Sequence, residues 1–277
     1  MGNLGRPGYG ASKDGVWPYT YDSCDLGVTH NQSMDDGTSW LPGQRLTSCS
    51  CPGADHPSPG KGRGAPEIDV FEGTADPNIH VPVITQSYQI APFDAWYYPN
   101  YDFMSIPNIE HNFTVLNGYT GGPFQQTLSV STTLNNAWYD GNQYQTYAFE
   151  YIPGTDNGSI TWFVGDAVTA TIHGKAIGPN GNINSRLISE EPMSIVLNLG
   201  ISNAWTWIDW EHLKFPTIMS IDYVRWYQKA GHESVTCDPP GWETTQYIAD
   251  HPLAYQHPNL TVSTVSQFFL RVWVTKY

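Results

Sequence analysis

The run Glu67-Ile68-Asp69-Val70-Phe71-Glu72 constrains this chain more than any other segment, because acids and aliphatics alternate within it. Side chains on a strand point to opposite faces with period two, so Ile68 and Val70 belong to one face and Glu67 and Asp69 to the other. The segment is therefore predicted as a strand with an apolar side for a core and an acidic side for a surface. Glu72 falls on the wrong side of a regular strand. One extra residue bulged out near Phe71 returns it to the acidic face, and bulges are over-represented beside active sites. Three carboxyls on one face repel when ionised, which pushes their pKa values apart and separates a proton donor from a charged nucleophile. That division suits glycosidic bond chemistry, in which one carboxyl protonates the leaving oxygen and a second attacks or stabilises an oxocarbenium-like centre. Acids from a single strand sit close together, and a separation of roughly 5 Å belongs to retaining enzymes. A bare E-x-D-x-x-E string is more often a solvated strand face, so the surrounding sequence has to carry the weight.

The rest of the chain supplies material for sheets. Runs at 83–90, 113–116, 124–133, 144–151, 159–164, 168–173, 194–201 and 217–227 are predicted as strands, bounded by turn formers. Asn157-Gly158 lies between the fourth and fifth of these, and Asn-Gly between alternating strands predicts a hairpin. Ile160, Trp162 and Val164 then share one face and enter the core, and Trp226 is also assigned a structural place. Ser189-Glu190-Glu191 ahead of Pro192 predicts a short helical turn within 186–192, with the Glu190 and Glu191 pair solvated. Glu150 reads as an exposed strand acid. Residues 1–64 and those after Asp238 have the composition of loops. Only 14% of residues are charged, while 26 Gly, 21 Pro, 11 Trp and 17 Tyr favour turns and short strands over helices. With 277 residues the chain can form one large all-β domain, and many short strands with turns between them predict a β-sandwich.

Twelve Lys plus Arg against 26 Asp plus Glu give a net charge of −14, which argues against nucleic acid or an anionic membrane as partner. A neutral polysaccharide is compatible with that charge. Cys24, Cys49, Cys51 and Cys237 are even in number, and no histidine pair stands at zinc-finger spacing behind Cys49-Ser50-Cys51. Disulfides are the simpler reading, in three possible connectivities. Sequons at Asn31, Asn112, Asn157 and Asn259 together favour passage through the secretory pathway. Nothing in the sequence speaks to oligomeric state.

Several segments, taken in order, carry a resemblance. They are Gly2-Asn3-Leu4-Gly5-Arg6-Pro7-Gly8-Tyr9, residues 62–72, Ala91-Pro92-Phe93-Asp94-Ala95-Trp96-Tyr97-Tyr98 and Tyr119-Thr120-Gly121-Gly122-Pro123-Phe124-Gln125-Gln126. Residues 143–151, 186–201 and Ile221-Asp222-Tyr223-Val224-Arg225 continue the series. Together they resemble the fungal β-glucan synthesis-associated proteins within glycoside hydrolase family 16, and their recurrence in order makes the motifs specific. The resemblance covers residues 1–262, and 263–277 form an unmatched tail. It implies a concanavalin A-like jelly roll with a concave cleft for a β-glucan polysaccharide or oligosaccharide, and no cofactor. By the same resemblance Glu67 is the nucleophile, Glu72 the general acid/base and Asp69 the residue between them that tunes the nucleophile. Residues 2–8 resemble an internal loop of the family, so the domain is expected to be N-terminally incomplete, missing its first strands. Full-length relatives are single-pass membrane proteins, which places the chain in the secretory pathway or at the cell surface.

A glucan cleft needs aromatic platforms on which the apolar faces of sugar rings stack. Trp96, Trp138, Trp205, Trp207 and Trp210 fall in loop-like or strand-end segments, and Trp96 and Trp205 lead because they neighbour segments that carry the resemblance. Asn198, a polar residue in an apolar run, is either a hydrogen-bonded core amide or a sugar ligand. Gln145 stands where many relatives of the wider family carry histidine, and it keeps hydrogen-bonding capacity without titrating. Asp222 resembles a position that helps bind structural calcium in some family enzymes, but its partner ligands would precede Met1, so no metal is expected. Two readings follow. One is a retaining glycosidase or transglycosylase acting in β-1,6-glucan biosynthesis and wall organisation, favoured by the intact acids. The other is a non-catalytic β-glucan-binding or assembly factor, favoured by Gln145 and the biosynthetic association.

Overall fold

The computed structural model describes residues 1–2, 66–90, 98–107, 113–122, 125–179, 185–203 and 205–252. The alternating acid run begins strand β1 (Glu67–Ala75), which turns back into β2 (Pro82–Ile90). Then come β3 (Met104–Ser105), β4 (Thr114–Leu116), β5 (Gly121–Gly122), β6 (Gln125–Thr133), β7 (Tyr147–Ile152), β8 (Ser159–Val164) and β9 (Ala167–His173). One sheet has the order β1-β2-β6-β4, with β5 also on β6, and the other the order β3-β9-β8-β7. All these pairings are antiparallel. Apart from short 3-10 turns, the described helix is α1 (Thr245–Asp250), whose start is held by Asp238 accepting from Thr244 N and Thr245 N at 2.9 and 2.8 Å. No helix among the described residues is long and apolar enough to cross a membrane.

The two sheets share a core. Ile68, Tyr88, Ile90, Leu128 and Val130 of the first meet Ile160, Trp162, Ala170 and Ile172 of the second. Each of these sits on the inward side of an alternating strand, and removal of this apolar surface from water is what holds the layers together. The all-β expectation holds. The hairpin between β7 and β8 forms as predicted, with Gly154 at φ 116° in its turn, and Ile160, Trp162 and Val164 are buried as expected. Glu150 is exposed.

Four expectations are corrected. Residues 195–201 and 217–227 are not strands, and Ile195, Val196, Leu197, Leu199, Ile221, Tyr223 and Val224 are exposed. Among the described residues only the start of the first run is paired, where Ser194 bridges Gly2. A β-prone sequence becomes a strand when an edge lies beside it to take its N–H and C=O groups, and propensity alone does not provide that edge. Trp226 consequently lies outside any strand, against Phe149 and Tyr151 at ring distances of 6.2 and 6.5 Å. The segment 186–192 is extended and not helical, because Ile188 exchanges two 2.9 Å backbone hydrogen bonds with Gly154 in the hairpin turn. Glu191 is buried at 4% exposure, near Tyr88, while its neighbour Glu190 is exposed.

Candidate active site

Strand β1 pairs Glu67 with Gln89, Asp69 with Ser87 and Glu72 with Thr85. Two residues, Val70 and Phe71, lie between Asp69 and Glu72 while only Gln86 lies between their partners, so one extra residue is accommodated in β1. The bulge predicted near Phe71 is present, and Phe71 packs on Tyr147 with ring centroids 4.5 Å apart. Glu67, Asp69 and Glu72 thereby share one face, each offering a carboxylate oxygen within 4.8 Å of the others. Sequence spacing alone would have put Glu72 on the core side.

The face is supported from strand β2. Asp69, 8% exposed, accepts from Ser87 Oγ at 2.5 Å and from Gln89 Nε2 at 2.8 Å, and Gln89 Nε2 also reaches Glu67 Oε1 at 3.3 Å. Thr85 Oγ1 donates to Glu72 Oε2 at 3.5 Å. Burial raises the Asp69 pKa well above the ordinary carboxylate value, and the charges of Glu67 and Glu72 raise it further, against the opposing bond from Ser87. Burial thus favours the protonated form of Asp69 between its two acidic neighbours. Its backbone carbonyl accepts from Trp162 Nε1 at 2.9 Å, so a core residue of the opposite sheet fixes the strand at its middle acid.

Gln86 was not singled out by the sequence reading. It is fully buried between the sheets and donates Nε2 to Val70 O at 3.0 Å, in the β1 bulge, and to Phe163 O at 3.3 Å. Its Oε1 accepts from Thr169 Oγ1 at 2.6 Å, and Thr169 is the extra residue where β9 shifts register against β8. One amide therefore ties the irregularities of both sheets together. A glutamine at an inward position between Ile84 and Tyr88 was the available signal. On the acid side, Thr127 and Ser129 of β6 stand opposite Gln89 and Ser87, and both hydroxyls are buried without a hydrogen-bond partner in the structure.

The proposed platforms and ligands scatter. Trp205, with Trp207 and Trp210, is exposed on the segment after Ser202, and this segment touches β1 where Thr206 Oγ1 meets Thr74 Oγ1 at 2.5 Å. Trp138 packs against the satellite core of Ile84, Leu134 and Val164. The Gln145 side chain turns back to accept from Thr146 N at 2.8 Å, beside Gly165. Asn198 is exposed, so the buried-amide alternative does not apply. Asn157 is exposed in the β7–β8 turn, and Cys237 is exposed. Trp96, Cys24, Cys49, Cys51, Asn31, Asn112 and Asn259 lie outside the described residues.

Comparison with known proteins places this arrangement. The family model described as "Beta-glucan synthesis-associated protein SKN1/KRE6/Sbg1" matches residues 1–270. The chain is 58% identical over 265 residues to the Beta-glucan synthesis-associated protein KRE6 of Saccharomyces cerevisiae, covering 94% of this chain and 36% of that protein. It is 55% identical to SKN1 of the same yeast and 52% identical to SKN1 of Candida albicans, covering 94% of this chain and 34% and 35% of those proteins. The chain thus spans about a third of the length of these curated relatives. No solved structure matches it. With a family model covering nearly its whole length and relatives more than half identical, the chain belongs to the SKN1/KRE6/Sbg1 family of β-glucan synthesis-associated proteins.

Proposed function

We propose that this chain is the β-glucan-handling domain of a cell-surface protein of fungal wall synthesis, and that it performs retaining glycosyl transfer. The observation that carries the reading is the bulge that brings Glu67, Asp69 and Glu72 to one face with carboxylate oxygens within 4.8 Å of one another. Retaining glycosidases hold their two working carboxyls about 5–5.5 Å apart, whereas inverting ones leave room for a water. In the proposed cycle Glu72 protonates the glycosidic oxygen as Glu67 attacks the anomeric carbon, releasing the leaving sugar and forming a glycosyl ester on Glu67. Glu72 then takes the proton from an incoming hydroxyl, which displaces Glu67 and restores both groups. Water as acceptor gives hydrolysis, and a second sugar gives transglycosylation, the better fit to relatives named for synthesis. Asp69 lies between them, and its burial, which favours the protonated form, lessens the repulsion among the three carboxyls.

A non-catalytic binding role is favoured by one observation: the Gln145 side chain is engaged in accepting from the backbone N–H of Thr146. The experiment that separates the readings incubates the chain and its Glu67→Gln variant with β-1,3- and β-1,6-gluco-oligosaccharides and follows the first-formed anomer by proton NMR. Retention of configuration in the wild type, with turnover lowered by at least about 10³-fold in the variant, is the expected result. Full turnover by the variant removes Glu67 as nucleophile. Binding without turnover by both proteins supports the assembly role.

A further inference from the structure

A second cluster of chemically capable side chains stands at the opposite end of β1 from Glu67. His80 lies in the turn joining β1 to β2, where Asp76 N bonds to Val81 O and His80 N to Asp76 O, each at 2.9 Å. Its φ of 51° is a left-handed conformation that histidine adopts more readily than most residues. Asp209 and His212 come from the Trp-bearing segment, folded locally by His212 N and Leu213 N bonding back to Asp209. His212 Nδ1 is 2.9 Å from both Asp209 carboxylate oxygens, and His80 Nδ1 is 3.7 Å from Asp209 Oδ2. The two imidazole rings stand edge to face with centroids 5.6 Å apart.

These spacings fit an ion. Each of the three residues offers a ligand atom within 4.8 Å of the others. Tetrahedral zinc with bonds of about 2.0–2.2 Å sets neighbouring ligand atoms roughly 3.3 Å apart, and the observed 2.9 and 3.7 Å fall on either side of that value. Two imidazoles and one carboxylate suit a borderline divalent transition metal and not calcium or magnesium, which take oxygen ligands. Asp209 is 17% exposed while the histidine side chains are 59% and 64% exposed, so the cluster opens outward and leaves a position for water. It opens onto a cavity of about 380 Å³ that is also bounded by Pro82, Asn136 and Tyr139. Glu211 adds negative charge beside His212, and the nearby Lys214 is paired with Asp140 at 3.5 Å.

We propose that His80, Asp209 and His212 form a transition-metal site, taking zinc(II), which fastens the segment carrying Trp205, Trp207 and Trp210 to the β1–β2 hairpin. The Thr74–Thr206 hydroxyl contact already ties the same two elements together, and a bound metal adds a further tie between them. That the tryptophans meet glucan rests on the function proposed above; the metal site does not.

The test titrates zinc into the metal-free full chain near neutral pH against a chromogenic zinc chelator, and repeats the titration with His80→Asn, chosen because asparagine tolerates positive φ, and with His212→Gln. One zinc per wild-type chain, with affinity at least tenfold lower in each variant and far-UV circular dichroism unchanged, is the expected result. Cobalt(II) should give visible d–d bands in the wild type that His212→Gln lacks, and Cys237→Ser should bind zinc as the wild type does. Absence of stoichiometric uptake, equal uptake by the histidine variants, or loss of uptake in Cys237→Ser would overturn the site. Zinc should also shift tryptophan emission in the wild type, and an unchanged spectrum would overturn the fastening of the segment. Because these readouts involve no glucan, they stand or fall separately from the glycosyl-transfer reading.

Discussion

Two runs of similar character end in different states. Ser159–Val164 and residues 194–201 are both rich in apolar and β-branched residues, and both read as strands. The first is β8, paired on both sides by β7 and β9, with Ile160, Trp162 and Val164 in the core. Among the described residues the second has no strand pairing beyond Ser194, and Leu197 is 58% exposed. Among the described residues the difference is a neighbouring edge, because the free energy of a strand comes from cross-strand pairs and burial more than from its own sequence. The acids sit on the paired half. Trp162 of β8 and Gln86 of β2 both reach across to β1, so the geometry of the acid face depends on the well-supported sandwich.

Three substitutions sharpen this contrast, in descending order of expected effect on stability. Gln86→Leu should cost the most, about 1–3 kcal/mol by urea denaturation, because it strips the half-buried Val70 and Phe163 carbonyls and the buried Thr169 hydroxyl of their shared partner. If it costs nothing, the link between the two bulges is not structural. Any glucan turnover should fall with it as Glu72 loses its register.

Asp69→Asn acts through pH. Folded Asp69 holds its proton to higher pH than the unfolded carboxyl, whose value is 3.8. Above that value the folded state therefore binds more protons, and stability falls as pH rises through the folded pKa; below 3.8 both states are protonated and the contribution is complete. Asparagine removes this slope, worth at most about 1.4 kcal/mol per pH unit. Urea midpoints measured across a pH series should decline less steeply in the variant, and parallel curves would show that Asp69 ionises normally. Leu197→Ser should have the smallest effect, within about 0.5 kcal/mol, since an exposed apolar residue outside a packed element has little to lose. A cost above about 2 kcal/mol would show this run to be packed in solution, like β8.

Much of the site was legible in the chain because it lies on one strand. Period-two alternation located Glu67 and Asp69, and the single misfit at Glu72 called for the bulge that the structure contains. The core face of β8 and the β7–β8 hairpin were legible for the same local reason. Gln86 was harder to find: its inward position could be read from Ile84 and Tyr88, but its three partners lie on β1, β8 and β9. Glu191 was misjudged because a Glu-Glu pair ahead of proline looks solvated, and only the packing near Tyr88 buries it.

The sequence by itself determined the all-β class, the acid strand and the common face of Glu67 and Asp69, since these follow from side-chain direction along a few consecutive residues, and it marked Glu72 as the misfit that a bulge against β2 corrects. Tertiary structure alone decided which β-prone runs are paired among the described residues, which carboxyl burial pushes toward its protonated form, and that His80 meets Asp209 and His212. Pairing, desolvation and convergence of distant segments depend on what lies across space, and no local pattern encodes that.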